Sequence, residues 1–153
     1  MFDVLVCEVA GRTFGLPATV VREVVRAVAV TPLPRAPGVI EGVINVRGRV
    51  IAVLDLRRRF RLPARAVVPS DHFVLVDAAP FVLAMRTDRV LELRGFPDAA
   101  VDEARRVIPY AEYVAGVARL DDGLLLLHDV TSFLAQGEAV ALAGAMTRTE
   151  AQG

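Results

Sequence analysis

The sequence predicts a mainly β protein, organised as paired small barrels with a groove between them. The chain contains itself twice: residues 41–60 read EGVINVRGRVIAVLDLRRRF, and residues 115–134, seventy-four positions on, read AGVARLDDGLLLLHDVTSFL. With no gap, Gly42 meets Gly116, Val43 meets Val117 and Asp55 meets Asp129. A second echo, at an offset of sixty-nine, sets Val4-Leu5-Val6 opposite Phe73-Val74-Leu75 and Val21-Arg22-Glu23-Val24 opposite Val90-Leu91-Glu92-Leu93. The offsets differ because the segment joining the two blocks is longer in the second half. Short runs rich in β-formers, bounded by glycine and proline, complete the pattern. A duplicated β unit leaves a groove between its copies, and grooves bind partners.

In chain order, residues 2–9 form a nearly continuous apolar run and read as a buried strand. Ala10-Gly11-Arg12 turns the chain into a partner strand over 13–16, which Pro17 ends because proline donates nothing to a ladder. Residues 20–30 open ambiguously, as a helical turn near Thr19 or a strand; β-branched density favours strand from about Glu23 onward. Three prolines in TPLPRAPG (31–38) require an extended surface connection. Residues 39–46 and 49–56 form a hairpin about Arg47-Gly48, where glycine supplies a positive φ. The first repeat spans about 1–62, a linker with two prolines occupies 63–70, and the second repeat covers 71–136. Strands are expected there at 72–77, 81–86 and 89–94, followed by a helix over 97–107. Asp98 would cap that helix, and Arg105 and Arg106 would suit its C-terminal end. Strands at 114–120 and 124–128 meet at the hairpin turn Asp121-Asp122-Gly123. A helix over 131–146, weakened near Gly137 and Gly144, precedes a frayed polar tail from 147.

A chain of 153 residues can bury one good core or two small subdomains sharing one. Its formal net charge is zero, whereas a phosphate-tracking nucleic-acid binder needs a basic surplus. All eighteen basic residues are arginine. Without lysine, a P-loop, a Schiff-base enzyme and a phosphoacceptor receiver site cannot be built. No apolar run is long enough to span a membrane, and the opening MFDVLVCEV is acidic where a signal peptide is basic. A cytoplasmic protein without direct membrane insertion is expected. The single cysteine, Cys7, lies in an apolar strand and reads as a buried structural thiol.

Candidate chemistry is sparse. His128, Asp129 and Ser132 carry the residue types of a triad, but neighbours on a strand face opposite ways, and the better reading is a strand end followed by a helix cap. No catalytic residue, cofactor or metal site is assigned: two distant histidines and one cysteine make no zinc site, and Asp121-Asp122-Gly123 lacks the spaced ligands of a calcium loop. The arginines of 57–61 read as a solvated strand end, with a salt-bridge rim to an acidic partner as the alternative. Arg47 is notable because a hairpin tip does not require a large cation; it is either an exposed charge or a contact residue. Glu23 and Glu92, at equivalent repeat positions, are either the polar face of a strand or contacts.

The stretch GVINVRGRVIAVLDLRRRF resembles the signature of the CheW family, adaptor proteins of bacterial chemosensory arrays. The likeness continues in VAGRTFGLPATVVREV, TPLPRAPGVIEGVINVRG, FVLAMRTDRVLEL and VAGVARLDDGLLLLHDVTSFL, in the family's order and over nearly the whole chain. The resemblance implies one CheW-like domain of two SH3-like, five-stranded β-barrels, with short helices between them and at the C-terminus (137–153). It implies a non-catalytic scaffold in the cytoplasm, at membrane-associated receptor arrays. Its partners would be the regulatory domain of a CheA-type histidine kinase and the cytoplasmic hairpin tip of chemoreceptors, the latter in the inter-barrel groove. By the same resemblance, Arg47, Gly48 and Glu23 lie at functional surfaces, with Val21, Gly42, Val43, Asn45 and Val46 as neighbours in the same motifs. The chain departs from the family's common pattern at Ala52, where proline is frequent, and at Val46, where leucine is common. Two other functions define what the structure must be asked. A small enzyme would need Asp55, Asp129 and His128 to converge, and a nucleic-acid-binding barrel would need residues 57–61 beside stacking aromatics.

Overall fold

A computed structural model describes the backbone of residues 1–103 and 113–152, with side chains through 102 and from 113 to 148. Among the described residues, eleven strands run in chain order: β1 (Phe2–Val9), β2 (Arg12–Pro17), β3 (Val21–Arg26), β4 (Ile40–Val46), β5 (Arg49–Leu54), β6 (His72–Ala78), β7 (Phe81–Thr87), β8 (Arg89–Phe96), β9 (Val101–Glu103), β10 (Val114–Leu120) and β11 (Gly123–His128). Helix α1 (Leu56–Arg59) follows β5, and helix α2 (Gln136–Gln152) closes the chain. The strands form two mixed sheets, ordered β8-β1-β2-β11-β10-β9 and β3-β6-β7-β5-β4.

The repeat explains this order, with an exchange built in. By sequence equivalence β1 matches β6, β2 matches β7, β3 matches β8, and β4-β5 match β10-β11. Substituting one set for the other converts the first five strands of one sheet into the other sheet, element for element. Both sheets also contain the same parallel contact, β11 with β2 and β5 with β7. Yet the β1-β2 hairpin sits among the second-half strands, and β6-β7 among the first-half strands. Each SH3-like subdomain is thus completed by a hairpin from the other half.

The exchange accounts for the continuous apolar run in β1. Val4 and Val6 face the core inside the six-stranded sheet, while Leu5, Cys7 and Val9 face the central core shared with the other sheet. In β6, Phe73 and Leu75 line the inner core of the five-stranded sheet, and Val74 and Val76 the shared one. Strands buried on both faces need apolar residues at every position. Leu56, Phe133 and Leu142 add α1 and the C-terminal region to the shared core, each fully buried and contributing about 1.5–3 kcal/mol. Cys7 is buried as expected, and burial pushes its thiol up to about 12, so it is inert.

The repeated glycines and aspartates have structural reasons. A Cβ on Gly42 would collide with the Thr31 carbonyl, which Val43 holds through reciprocal hydrogen bonds of 2.9 and 2.8 Å. On Gly116 it would meet the Asp102 carbonyl at 2.9 Å, where β9 crosses β10. Asp55 accepts from the Arg57 and Arg58 amides and caps α1; Asp129 accepts from the Thr131 amide and caps a 3-10 turn at Val130–Ser132.

Several expectations need correction. Residues 57–61 do not continue a strand, because the Asp55 cap turns them into α1. They are a solvated end only in part: Arg57 is 9% exposed and Arg59 half-buried, whereas Arg58 and Arg61 are exposed. The helix expected over 97–107 is instead a 3-10 turn at Asp98–Ala100 and strand β9; residues 104–107 lie outside the described residues. Pairing of Val101 with Ala118 outweighs the favourable charge order, and the Asp98 side chain caps nothing, lying 3.3 Å from the N-terminal amine of Met1. The strand after residue 20 begins at Val21, not Glu23, and ends at Arg26. The final helix starts at Gln136, runs unbroken past Gly137 and Gly144, and includes residues expected to fray. Glu138 holds that start by accepting the Ala135 amide at 2.9 Å.

Candidate functional site

Two exposed features stand over this scaffold. The first is the β4-β5 turn. Arg47 and Gly48 have φ of 51° and 84°, the two positive values of a turn whose twist matches its flanking strands. Asn45 locks it, its Oδ1 accepting the Gly48 amide at 2.8 Å. From this tip the Arg47 guanidinium reaches Glu23 on β3 and donates to Oε2. Strands β3 and β4 are opposite edges of the five-stranded sheet, so the ion pair bridges the closure of a curled barrel. The hydrogen bond from Arg47 holds the Glu23 carboxyl below its ordinary range, and Arg49 adds to the effect. The Arg47 side chain remains 70% exposed. A pair so exposed stabilises the fold little; its consequence is an oriented guanidinium at the surface.

The other residues of this motif divide by burial. Asn45 and Gly48 are exposed with Arg47; Gly42, Val43 and Val46 are buried beneath the turn. Val21 is half-buried against the shared core.

The second feature is a cavity of about 530 Å³ between the six-stranded sheet and α1. Val9, Arg12, Thr13 and Phe14 form one wall, Arg59 to Leu62 another, and Tyr113, Leu126 and His128 the remainder. His128 stacks on Phe60 at 4.9 Å and meets Phe14 edge-on at 5.2 Å. Its Nδ1 lies 2.9 Å from the Tyr113 carbonyl, which can only accept, so Nδ1 carries the proton. Burial lowers the pKa of this imidazole, and the Tyr113 carbonyl opposes the shift in part. Arg59 is held by a two-pronged ion pair to Glu138 of α2, at 3.0 and 2.7 Å, with its guanidinium 5.4 Å from the Tyr113 ring centre. Arg12 and Arg61 are exposed at this cavity and make no ion pair among the described residues. An apolar, aromatic trough with cationic edges suits an amphipathic helix. Arg47 and Glu23 do not line it, so the two features are separate surfaces.

Sequence reasoning singled out the turn but missed the trough. Its aromatic residues come from positions 14, 60, 113 and 128, and no local pattern joins them.

A separate ion network joins the linker, α1, β4 and β7. Asp88 accepts from Arg57 at 2.6 Å, from Arg65 at 2.8 Å and from the Ala10 amide at 2.9 Å. Burial alone would raise the Asp88 pKa, but these donors outweigh it and lower it. Arg65 also grips Asp71 at 2.6 Å, pinning the linker to the start of β6. Arg86, 5% exposed, donates to Glu41 at 2.6 Å and stands 3.6 Å from both Asp55 and Asp71. Burial is the main cause raising the Glu41 pKa. The network consumes the chemistry that rival functions would need. Asp55 is committed to a cap, to Arg58 at 3.3 Å and to the Arg86 contact, while Asp129 accepts from Thr131 Oγ1 at 2.6 Å. Neither makes a hydrogen bond to His128. Arg57, Arg58 and Arg59 all have carboxylate partners, which leaves Arg61 alone of that cluster for a phosphate chain.

A family model described as a CheW-like domain matches residues 3–138. The chain is similar to the chemotaxis protein CheW of Treponema pallidum, at 26% identity over 93% of this chain and 87% of that one. It is also similar to protein FrzA of Myxococcus xanthus, at 38% identity over 57% of this chain and 54% of the relative. Among solved structures, the scaffolding protein TtCheW from Thermoanaerobacter tengcongensis superposes with a TM-score of 0.79 and 26% identity, covering 90% of this chain and 94% of its own.

Proposed function

This chain belongs to the family of CheW-like domains, and from that premise we propose that it joins chemoreceptor cytoplasmic tips to the regulatory domain of a CheA-type histidine kinase. It is a non-catalytic scaffold adaptor of a chemotaxis-type signalling system. The observation that supports the finer reading is the presence of two separate binding-competent surfaces on one body, the Arg47 turn and the aromatic trough. A coupling protein needs two.

In this reading the trough takes the apolar face of the receptor hairpin, with Arg12 and Arg61 setting its orientation against acidic residues. The turn, with Arg47, Gly48, Asn45 and Glu23 on the surface, meets the kinase domain, and Val21, Gly42, Val43 and Val46 support it from beneath. The protein works in the cytoplasm, at receptor arrays in the membrane. Signalling then requires only that receptor states differ in how they bind the adaptor.

Calorimetric titration against each partner tests the assignment. Arg47→Glu leaves the fold intact and weakens kinase-domain binding about tenfold or more, since arginines at interface centres dominate affinity. A variant that unfolds normally and binds the kinase domain with unchanged affinity would remove the turn from the working surface.

A further inference from the structure

Strand β8 is the outermost strand of the six-stranded sheet, paired with β1 on one side and with no ladder partner on the other among the described residues. It is open on both faces: Arg89, Leu91, Glu92, Leu93, Arg94 and Gly95 are all exposed, Leu93 at 67%. Proteins usually blunt such an edge or cover it, because its free amides and carbonyls template another strand.

The repeat shows what is different here. Glu23, the counterpart of Glu92, is neutralised by Arg47 across the mouth of its barrel. In the second half the equivalent turn is Asp121-Asp122-Gly123, so that cation is replaced by an anion. Glu92 makes no ion pair among the described residues. Nor does Arg94, whose guanidinium lies over the Phe96 ring at 4.9 Å. Two opposite charges, two residues apart on one face and both without an ion pair among the described residues, flank the most exposed leucine of the strand.

That arrangement is self-complementary. In an antiparallel pair of β8 strands centred on Leu93, each Leu93 meets its copy, each Glu92 faces Arg94 of the other copy, and Leu91 faces Gly95. Centring on Glu92 or on Arg94 instead sets like charges directly opposite, which cross-strand pairing disfavours. Of these three centrings, charge selects the one on Leu93. The irregularity between Val90 and Glu92 ends the regular ladder and keeps the contact short. A net charge of zero offers no long-range repulsion against a second copy.

We propose that β8 is a self-association edge, pairing with β8 of a second copy about Leu93 and joining two six-stranded sheets into one. The contact does not involve the Arg47 turn or the trough, so it can fail while the adaptor function stands. Sedimentation equilibrium on the full chain, from micromolar to millimolar protein, reads the monomer–dimer constant. Glu92→Arg and Arg94→Glu each turn two attractive cross-strand pairs into repulsive ones and weaken the dimer about tenfold. The double variant Glu92→Arg/Arg94→Glu exchanges the charges and restores the constant, a recovery that only a two-fold contact of this register gives. Leu93→Asp abolishes dimerisation, and circular dichroism verifies that each variant is folded. A wild-type chain that stays monomeric throughout, single variants with an unchanged constant, or a double variant no tighter than the singles would each overturn the proposal.

Discussion

Replacing Gly42 by alanine adds one methyl group at a place where the backbone has no room. The new Cβ would overlap the Thr31 carbonyl oxygen and lie 2.7 Å from its carbon, and both belong to main chain rather than to a flexible side chain. Relief requires Thr31 to leave Val43, breaking hydrogen bonds of 2.9 and 2.8 Å. Each is worth about 0.5–1.5 kcal/mol net. Moving Thr31 also disturbs Leu33, which is 8% exposed and puts part of a further ~1.5–3 kcal/mol at risk. The sum is about 2–4 kcal/mol. At the repeat-equivalent Gly116 the obstruction is a single carbonyl oxygen at 2.9 Å, belonging to a three-residue strand at the edge of its sheet. There the cost falls to about 1 kcal/mol, the worth of one net hydrogen bond. Gly38, with nothing within 4 Å of its added Cβ, is the neutral control. Urea unfolding of the three variants, compared at constant slope, gives the ranking directly. Gly42→Ala within about 0.5 kcal/mol of wild type, or Gly116→Ala costing more than Gly42→Ala, would refute the crossing-carbonyl explanation for the repeated glycine.

Two further outcomes follow from the shared core. His128 has a folded pKa below its ordinary 6.5, so its contribution is fully present above that value and is lost as pH falls from there through the folded pKa. His128→Phe keeps the ring contacts and flattens that part of the stability–pH curve; an unchanged slope between pH 6.5 and the folded pKa would assign the acid sensitivity elsewhere. Cleavage within the linker at 63–70 separates each exchanged hairpin from the strands it completes. The isolated halves are unfolded by circular dichroism and regain native ellipticity only when mixed, whereas independently folded halves would contradict the exchange.

The strands were legible because the chain alternates little: β1, β6 and β11 announce burial on two faces, and the hairpin turns at 47–48 and 121–123 carry their own glycines. The exchange was not legible. β1-β2 and β6-β7 share the same apolar runs in sequence, so periodicity cannot say which half a hairpin completes. At Asp55 the strand reading overrode the cap signal, and after the strand ending at 128 the cap was expected at Thr131 or Ser132, whereas Asp129 supplies it. Asp55 and Asp129 each follow a strand and precede residues whose free amides need an acceptor, the pattern of a cap. The stretch 97–107 misled in the opposite sense, since acids early and Arg105 and Arg106 late suit a helix dipole, but over 97–103 that term is worth less than a ladder pairing. At the site, Arg47 stood out as an unneeded cation at a tip. Its contact with Glu23 could not be foreseen, because β3 and β4 lie at opposite sheet edges and meet only through barrel curvature. The trough was still less accessible, being assembled from four distant segments.

The exchange also bears on how such an adaptor transmits a signal. Two barrels joined by a free linker would swing, and a partner bound to one would learn little about a partner bound to the other. Here hairpins cross between the halves, β1, β6 and the C-terminal helix share one core, and Arg65 ties the linker to Asp71 and Asp88. Arg59 fixes α2 to the trough wall through Glu138, and the hydrogen bond from Arg59 holds that carboxyl below its ordinary range. A body so cross-braced has few low-energy hinges. In the proposed reading, coupling between the two surfaces is then carried by fixed relative placement: a receptor state that tilted or released the trough would displace the turn with it, and the kinase would respond to position rather than to a change of shape within the adaptor.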